Sequence, residues 1–272
     1  MGAARVNLAA MAAVGALSGG LARASGHHAL WGLLIAAYPG FAYSLSLDLT
    51  EIVATACLLA GLLALRRRRY RAATIALVLA VLTRETTVIV PVGVLLAWGW
   101  GRTRATTPSR PRPDARAAAT ALVALAAFAA WQGWLWHRWG ALPLSQSTGE
   151  NVRFPLEGLL RSLKYFTPTD GRALFRIACL ALLASVGLVA TVYWRRSNAP
   201  LHERLAFILA LGVVIMQSGY SWPDATSFLR VGTEYWVLGV LTALGVENMG
   251  ALGVLAAPAA GLWVVAATSR VA

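Results

Sequence analysis

The stretch IALVLAVLTRETTVIVPVGVLLAW, residues 75–98, decides how this chain folds. Two apolar runs flank LTRETT, and Arg84 and Glu85 stand side by side between them. Placing a charged side chain at the centre of a bilayer costs about 2.5–3.5 kcal/mol on insertion scales. Each charge therefore lies at a membrane surface or faces a polar cavity. The flanking runs do not alternate apolar with polar residues, as the strands of a membrane β-barrel must. They read as two helices meeting at a charged corner.

The rest of the chain extends this pattern. Of its 272 residues, 58% are hydrophobic and 13% charged, whereas a soluble domain carries about 25% charged residues. Apolar runs cover 6–22, 29–41, 50–65, 72–82, 86–100, 117–136, 174–194, 205–219, 231–246 and 251–267. Several approach the roughly 20 residues needed to span a bilayer. Runs 29–41 and 72–82 fall short, which predicts tilted, interrupted or re-entrant segments. Pro39-Gly40 and Pro91 are the expected break or kink points. The expectation is an all-α, polytopic bundle of about eight to ten membrane helices, a single transmembrane domain over residues 1–272.

The formal net charge is +13, with 23 arginines against one lysine. The arginines concentrate in RRRRYR (66–71), GRTRATTPSRPRPDAR (101–116) and RRSNAPLHER (195–204), each between apolar runs. Such blocks fit the positive-inside rule and need no nucleic-acid partner. An even number of crossings separates them, so all three are expected in the cytoplasm. Asp48, Glu51, Arg84, Glu85, the 137–173 segment and 220–230 then gather on the outer side. Segment 101–116 reads as a Pro/Arg-rich linker. In the outer loop, FPLEGLLRSLKYF spaces Leu156, Leu159, Leu160 and Leu163 at helical intervals opposite Glu157, Arg161 and Lys164, the pattern of an interfacial helix. Trp131 to Trp139 read as an aromatic belt. Gly15 and Gly19 have the G-x-x-x-G spacing of close helix packing. The same parity leaves the N-terminus outside; Arg5 before an apolar run and Ala22-Arg23-Ala24 would fit a cleaved signal peptide, but the preferred expectation is a further helix upstream of Met1.

Three constellations can carry chemistry. Arg84 and Glu85 form either a plain helix corner or an outer site in which the arginine fork binds phosphate. Asp48 and Glu51, in Asp48-Leu-Thr-Glu51, are an ordinary helix start or a carboxylate pair available as general base. In SGYSWPDATSFLR (218–230), Trp222, Asp224 and Arg230 form a loop before a helix, or a sugar-stacking ring with a second phosphate-binding arginine. Cys57 and Cys179 sit inside apolar runs as small hydrophobes, and His27-His28 has no third ligand nearby. No metal, nucleotide or hydrolase motif is present, so no cofactor is expected.

The segments AAYPGFAYSLSLDLTE (36–51) and ALVLAVLTRETTVIVPVGVLLAW (76–98) resemble bacterial multi-spanning glycosyltransferases of the GT-C superfamily, in particular those of cell-surface glycopolymer formation. SFLRVGTEYWVLG (227–239) resembles the arginine-bearing last-loop segment of that group. The resemblance implies transfer of a sugar from a polyprenyl-phosphate donor to a glycan or lipid acceptor on the outer face of the bacterial inner membrane. It also implies a catalytic carboxylate in the first outer loop, a segment that would precede residue 1. Asp48 and Glu51 do not match that position, so no catalytic residue is assigned. Arg84 and Arg230 are the arginines expected to meet the donor phosphate. The rival expectations are a transporter or flippase of a lipid-linked or anionic substrate, built on interrupted helices, and a non-catalytic envelope assembly component.

Overall fold

A computed structural model describes residues 2–47, 49–103, 114–142, 153–166, 171–218, 221–222, 224–246 and 249–268. Among them every regular element is helical. The helices are α1 (Gly2–Ala24), α2 (Leu33–Ala36), α3 (Pro39–Ser46), α4 (Glu51–Arg66), α5 (Tyr70–Thr83), α6 (Ile89–Thr103) and α7 (Ala115–Trp139). They continue as α8 (Glu157–Ser162), α9 (Gly171–Val192), α10 (Leu201–Ile215), α11 (Ala225–Val231), α12 (Thr233–Leu244) and α13 (Met249–Thr268). Short 3-10 turns occupy Ala29–Gly32, Glu85–Val88 and Leu163–Phe166.

The centre of the bundle is α12. All 12 of its residues are buried, which suits a helix apolar around its whole circumference. Helices α9 and α10 make its main contacts, with α13, α4, α2 and α1 touching it as well. Around this axis α1 crosses α4, α4 folds back on α5, α5 lies on α7, α7 on α6, and α6 on α10. The α4–α5 turn runs through Arg68 at φ 55. Small residues let helix backbones approach closely, which supplies packing energy. Gly32 shows how tight this is: a Cβ there would lie 2.3 Å from the carbonyl carbon of Ser18. The expected Gly15/Gly19 contact is made by Gly19 alone, against Ala29, while Gly15 faces open space.

Many outward residues are large and apolar, among them Ile75, Leu79, Leu122, Leu188 and Val254. Three helical stretches, Ala4–Ala24, Ala115–Trp139 and Ala173–Val192, are long and apolar enough to cross a bilayer. Segments Ala29–Ala36 and Pro39–Ser46 meet at 56° and make a fourth if they act as one broken span. Against the about eight to ten crossings expected from hydropathy alone, the described residues thus yield three or four by length and composition. Helix α5, at 14 residues, reaches only about 21 Å at 1.5 Å per residue. Apolar runs in the sequence are cut by charged corners, and the helices end there. Pro91 does not kink its helix: it sits in the first turn of α6, where its missing N–H has no partner to lose. The chain breaks instead just before Pro39, which opens α3 at its first position.

The three arginine-rich segments meet at one end of the bundle. Tyr70 donates its hydroxyl to Asp114, joining the starts of α5 and α7. Arg66 grips Glu203 with Nε at 2.7 Å and Nη2 at 2.5 Å, joining α4 to α10. Its Nη1 reaches Ser25 Oγ at 2.8 Å, beyond the end of α1. Glu51 lies about 22 Å away at the other end of α4, 15 residues at 1.5 Å each. In the 137–173 segment, α8 carries the Glu157–Arg161 ion pair at 2.6 Å and exposes Leu160, as the interfacial pattern requires. Residues 104–113 of the linker lie outside the described residues, as do 143–152 and 167–170 of the 137–173 segment.

Candidate functional site

The site forms where four chain segments end. Glu51 opens α4, Arg84 closes α5, and Arg230 and Glu234 flank the α11–α12 junction. Arg84 has an extended backbone, φ −152 and ψ 122. Consecutive side chains of extended backbone leave on opposite sides, so Arg84 turns inward while Glu85 is exposed. Charges accumulate at these helix ends because the polar end of a helix is the one place an apolar bundle can host them. Glu51 and Glu234 also lie in first turns, where the helix dipole favours an anion.

The geometry is a chain of ion pairs. Glu51 Oε1 accepts from Arg230 Nε at 2.7 Å and lies 3.4 Å from Arg84 Nη1. Arg84 Nε lies 3.1 Å from Glu234 Oε1 and donates to Thr86 Oγ1 at 2.7 Å. Arg84 Nη2 donates to the carbonyl of Arg230, and Ser44 Oγ donates to Glu51 Oε2 at 3.4 Å. The two carboxylates are nearly inaccessible, with side-chain exposures of 3% and 4%, against 12% for Arg84 and 43% for Arg230. Two arginines and two glutamates sum to zero charge, so the cluster can exist in a low-dielectric setting. Two of its atoms are buried without a protein hydrogen bond: Arg84 Nη1 and Glu234 Oε2.

A packed aromatic wall holds the junction beneath the cluster. The Tyr38 hydroxyl donates to the carbonyl of Leu229. The Tyr38 ring stacks on Trp236 at 5.5 Å, and the Trp236 indole donates to the carbonyl of Leu34 at 3.1 Å. Thr233 Oγ1 donates to the carbonyl of Arg230 at 2.8 Å. Backbone oxygens next to Arg230 are thereby fixed from two sides.

Of the sequence-derived candidates, the structure brings together Glu51, Arg84 and Arg230. Glu85 is not with them: it is exposed on the 3-10 turn and forms no ion pair among the described residues. Trp222 is buried at 3% exposure and stacked on Phe228 at 5.9 Å, so its ring is not presented for a sugar. Asp224 is the N-cap of α11, accepting from the backbone N–H groups of Thr226 and Ser227. Burial pushes its carboxyl up, but side-chain and backbone hydrogen bonds from Thr226 and Ser227 outweigh this and hold it below its ordinary value. Asp48 lies outside the described residues.

Sequence reading missed Glu234. The available signal was its position four residues after Arg230 in an otherwise apolar run, a spacing that brings opposite charges together on a helix. It also missed the Arg66–Glu203 pair. His27, expected at an interfacial turn, reaches the carbonyl of Val246 with Nε2 at 3.1 Å, and His28 Nδ1 caps the 3-10 turn at Leu30 N. Among the described residues no group of three His, Cys, Asp or Glu is placed to hold a metal ion. No known protein family matches the chain, and neither a curated protein nor a solved structure is significantly similar to it.

Proposed function

We propose that this chain is a membrane glycosyltransferase-like protein of the GT-C type, handling a polyprenyl-phosphate-linked sugar at the outer face of a bacterial inner membrane. The observation that supports it is the Glu51–Arg84–Arg230–Glu234 cluster, with a buried donor, Arg84 Nη1, and a buried acceptor, Glu234 Oε2, both free of protein hydrogen bonds. A sugar phosphate offers hydroxyls and anionic oxygens, groups to which such a charged cluster is chemically suited. Arg230, the more exposed arginine, is the natural contact for a phosphate entering from the membrane surface. In the reaction, the bond between the anomeric carbon and the polyprenyl phosphate breaks, and a bond to an acceptor hydroxyl oxygen forms. The acceptor proton passes to water or to a carboxylate at the mouth of the site, and Arg230, 43% exposed, stabilises the departing phosphate.

A second reading is favoured by the 56° break between Ala29–Ala36 and Pro39–Ser46, since interrupted helices are the usual substrate sites of transporters. The two separate in one experiment on purified chain reconstituted in vesicles. Radiolabelled polyprenyl-phosphate sugar and phosphate-free polyprenol are compared for retention, and sugar release to acceptor is followed against movement across the bilayer. The glycosyltransferase reading expects phosphate-dependent retention, lost tenfold or more in Arg230→Ala, together with sugar transfer. Equal retention of the two lipids, or translocation without transfer, overturns it.

A further inference from the structure

A second polar surface lies at the opposite end of the bundle, where the Arg66–Glu203 pair sits. There α9 gives way to α10, and a cleft of about 570 Å³ opens between Thr191, Val192, Trp194, Arg195, Arg196 and Ile208. Arg195 and Arg196 are exposed, and neither forms an ion pair among the described residues. Glu203 is the only acidic residue between Asp170 and Asp224 in the sequence. Its carboxylate is wholly buried and taken in a bidentate grip by Arg66. Among the described residues no carboxylate lies within ion-pair distance of either arginine.

The cleft has a rigid wall. Arg204 lies with its guanidinium carbon 5.5 Å from the centre of the Trp194 ring and donates Nη1 to the Trp194 carbonyl at 2.9 Å. The indole is thus held in place beside Arg195. Beside Thr191 the cleft's remaining lining is apolar: Val192 is 64% exposed and Ile208 44%. A cationic rim next to exposed aliphatic side chains and a fixed tryptophan suits a molecule that is anionic at one end and hydrocarbon at the other. A free anion would use only the rim.

We propose that this cleft binds the phosphodiester headgroup of an anionic membrane lipid, in the leaflet opposite the Glu51–Arg84 cluster. Arg195 and Arg196 take the phosphate oxygens, Trp194 sits at the headgroup level, and Val192 and Ile208 flank the first part of an acyl chain. The proposal does not depend on the glycosyltransferase reading, because no residue is shared with that site.

The test uses the full chain, stripped of lipid in a neutral maltoside detergent. It is titrated with a short-chain phosphatidylglycerol, the matching phosphatidylcholine, and inorganic phosphate, with binding read by calorimetry. Phosphatidylglycerol is expected to bind and the other two are not. In the double variant Arg195→Ala/Arg196→Ala its affinity should fall roughly thirtyfold, the equivalent of about 1 kcal/mol per arginine. A control that removes two exposed arginines elsewhere, Arg67→Ala/Arg69→Ala, should change it less than threefold, an effect under about 0.7 kcal/mol. Ile208→Trp, which fills the floor of the cleft, should weaken the lipid while the rim is intact. Equal binding of phosphatidylcholine, equal binding of inorganic phosphate, or equal losses in the two double variants would each overturn the assignment.

Discussion

Replacing Arg84 with methionine isolates the electrostatics of the four-residue cluster. The substitution leaves Glu51 with Arg230 at 2.7 Å, but leaves Glu234, 4% exposed, with no cation. Stranding a buried carboxylate in this way costs about 3–5 kcal/mol. Glu234→Leu alone strands less, because Arg84 keeps Glu51 at 3.4 Å and Thr86 at 2.7 Å, and about 2 kcal/mol is expected for a charged hydrogen bond lost. In Arg84→Met/Glu234→Leu, both charges leave together and the remaining Glu51–Arg230 pair is neutral. The double variant should then lose less than Arg84→Met alone, with a coupling energy of roughly 2 kcal/mol or more. The assay is equilibrium unfolding of the purified chain in mixed micelles, followed by helicity, for wild type, both single variants and the double. Losses that simply add would show that Arg84 and Glu234 do not share a buried environment. That result would remove the electrostatic basis of the site.

Three further outcomes follow from the geometry. Glu203→Gln should cost about 3–5 kcal/mol in the same unfolding assay, because Arg66, 8% exposed, would keep hydrogen-bond acceptors in the Gln oxygen, Ser25 Oγ and the Leu21 carbonyl but no counter-charge. Glu51→Gln should cost less, since Arg230 is 43% exposed and can rehydrate; the reverse order would contradict the assigned burial. Asp224→Ala should cost about 1 kcal/mol at neutral pH through loss of the cap. The folded carboxyl of Asp224 is held low, so its stabilisation is complete above the unfolded value of about 3.9 and fades as pH falls through the lower folded one. The difference between wild type and Asp224→Ala should therefore shrink in acid, and a difference that grows there would refute the cap's charge dependence.

Helicity, the broken segment at Pro39 and the clustering of arginines were legible in the sequence, because each depends on neighbouring residues. Apolar runs without alternation admit helices and exclude strands, and proline at a run's edge opens a helix whatever surrounds it. Arg84 was also legible as an anomaly, since any charge within such a run demands a polar neighbour. The identity of that neighbour was not. Glu85 was adjacent and lost the role because extended backbone at Arg84 sends it outward, whereas Glu51 and Glu234 won it through the packing of α4 and α12. The Arg230–Glu51 bond joins positions 179 apart and the Arg66–Glu203 bond positions 137 apart. Sequence by itself determined that charges would stand at helix ends, because burying them mid-helix in hydrocarbon is too costly. Only the tertiary structure decided which ends meet, because the partner of a buried charge is fixed by how helices distant in the chain stack.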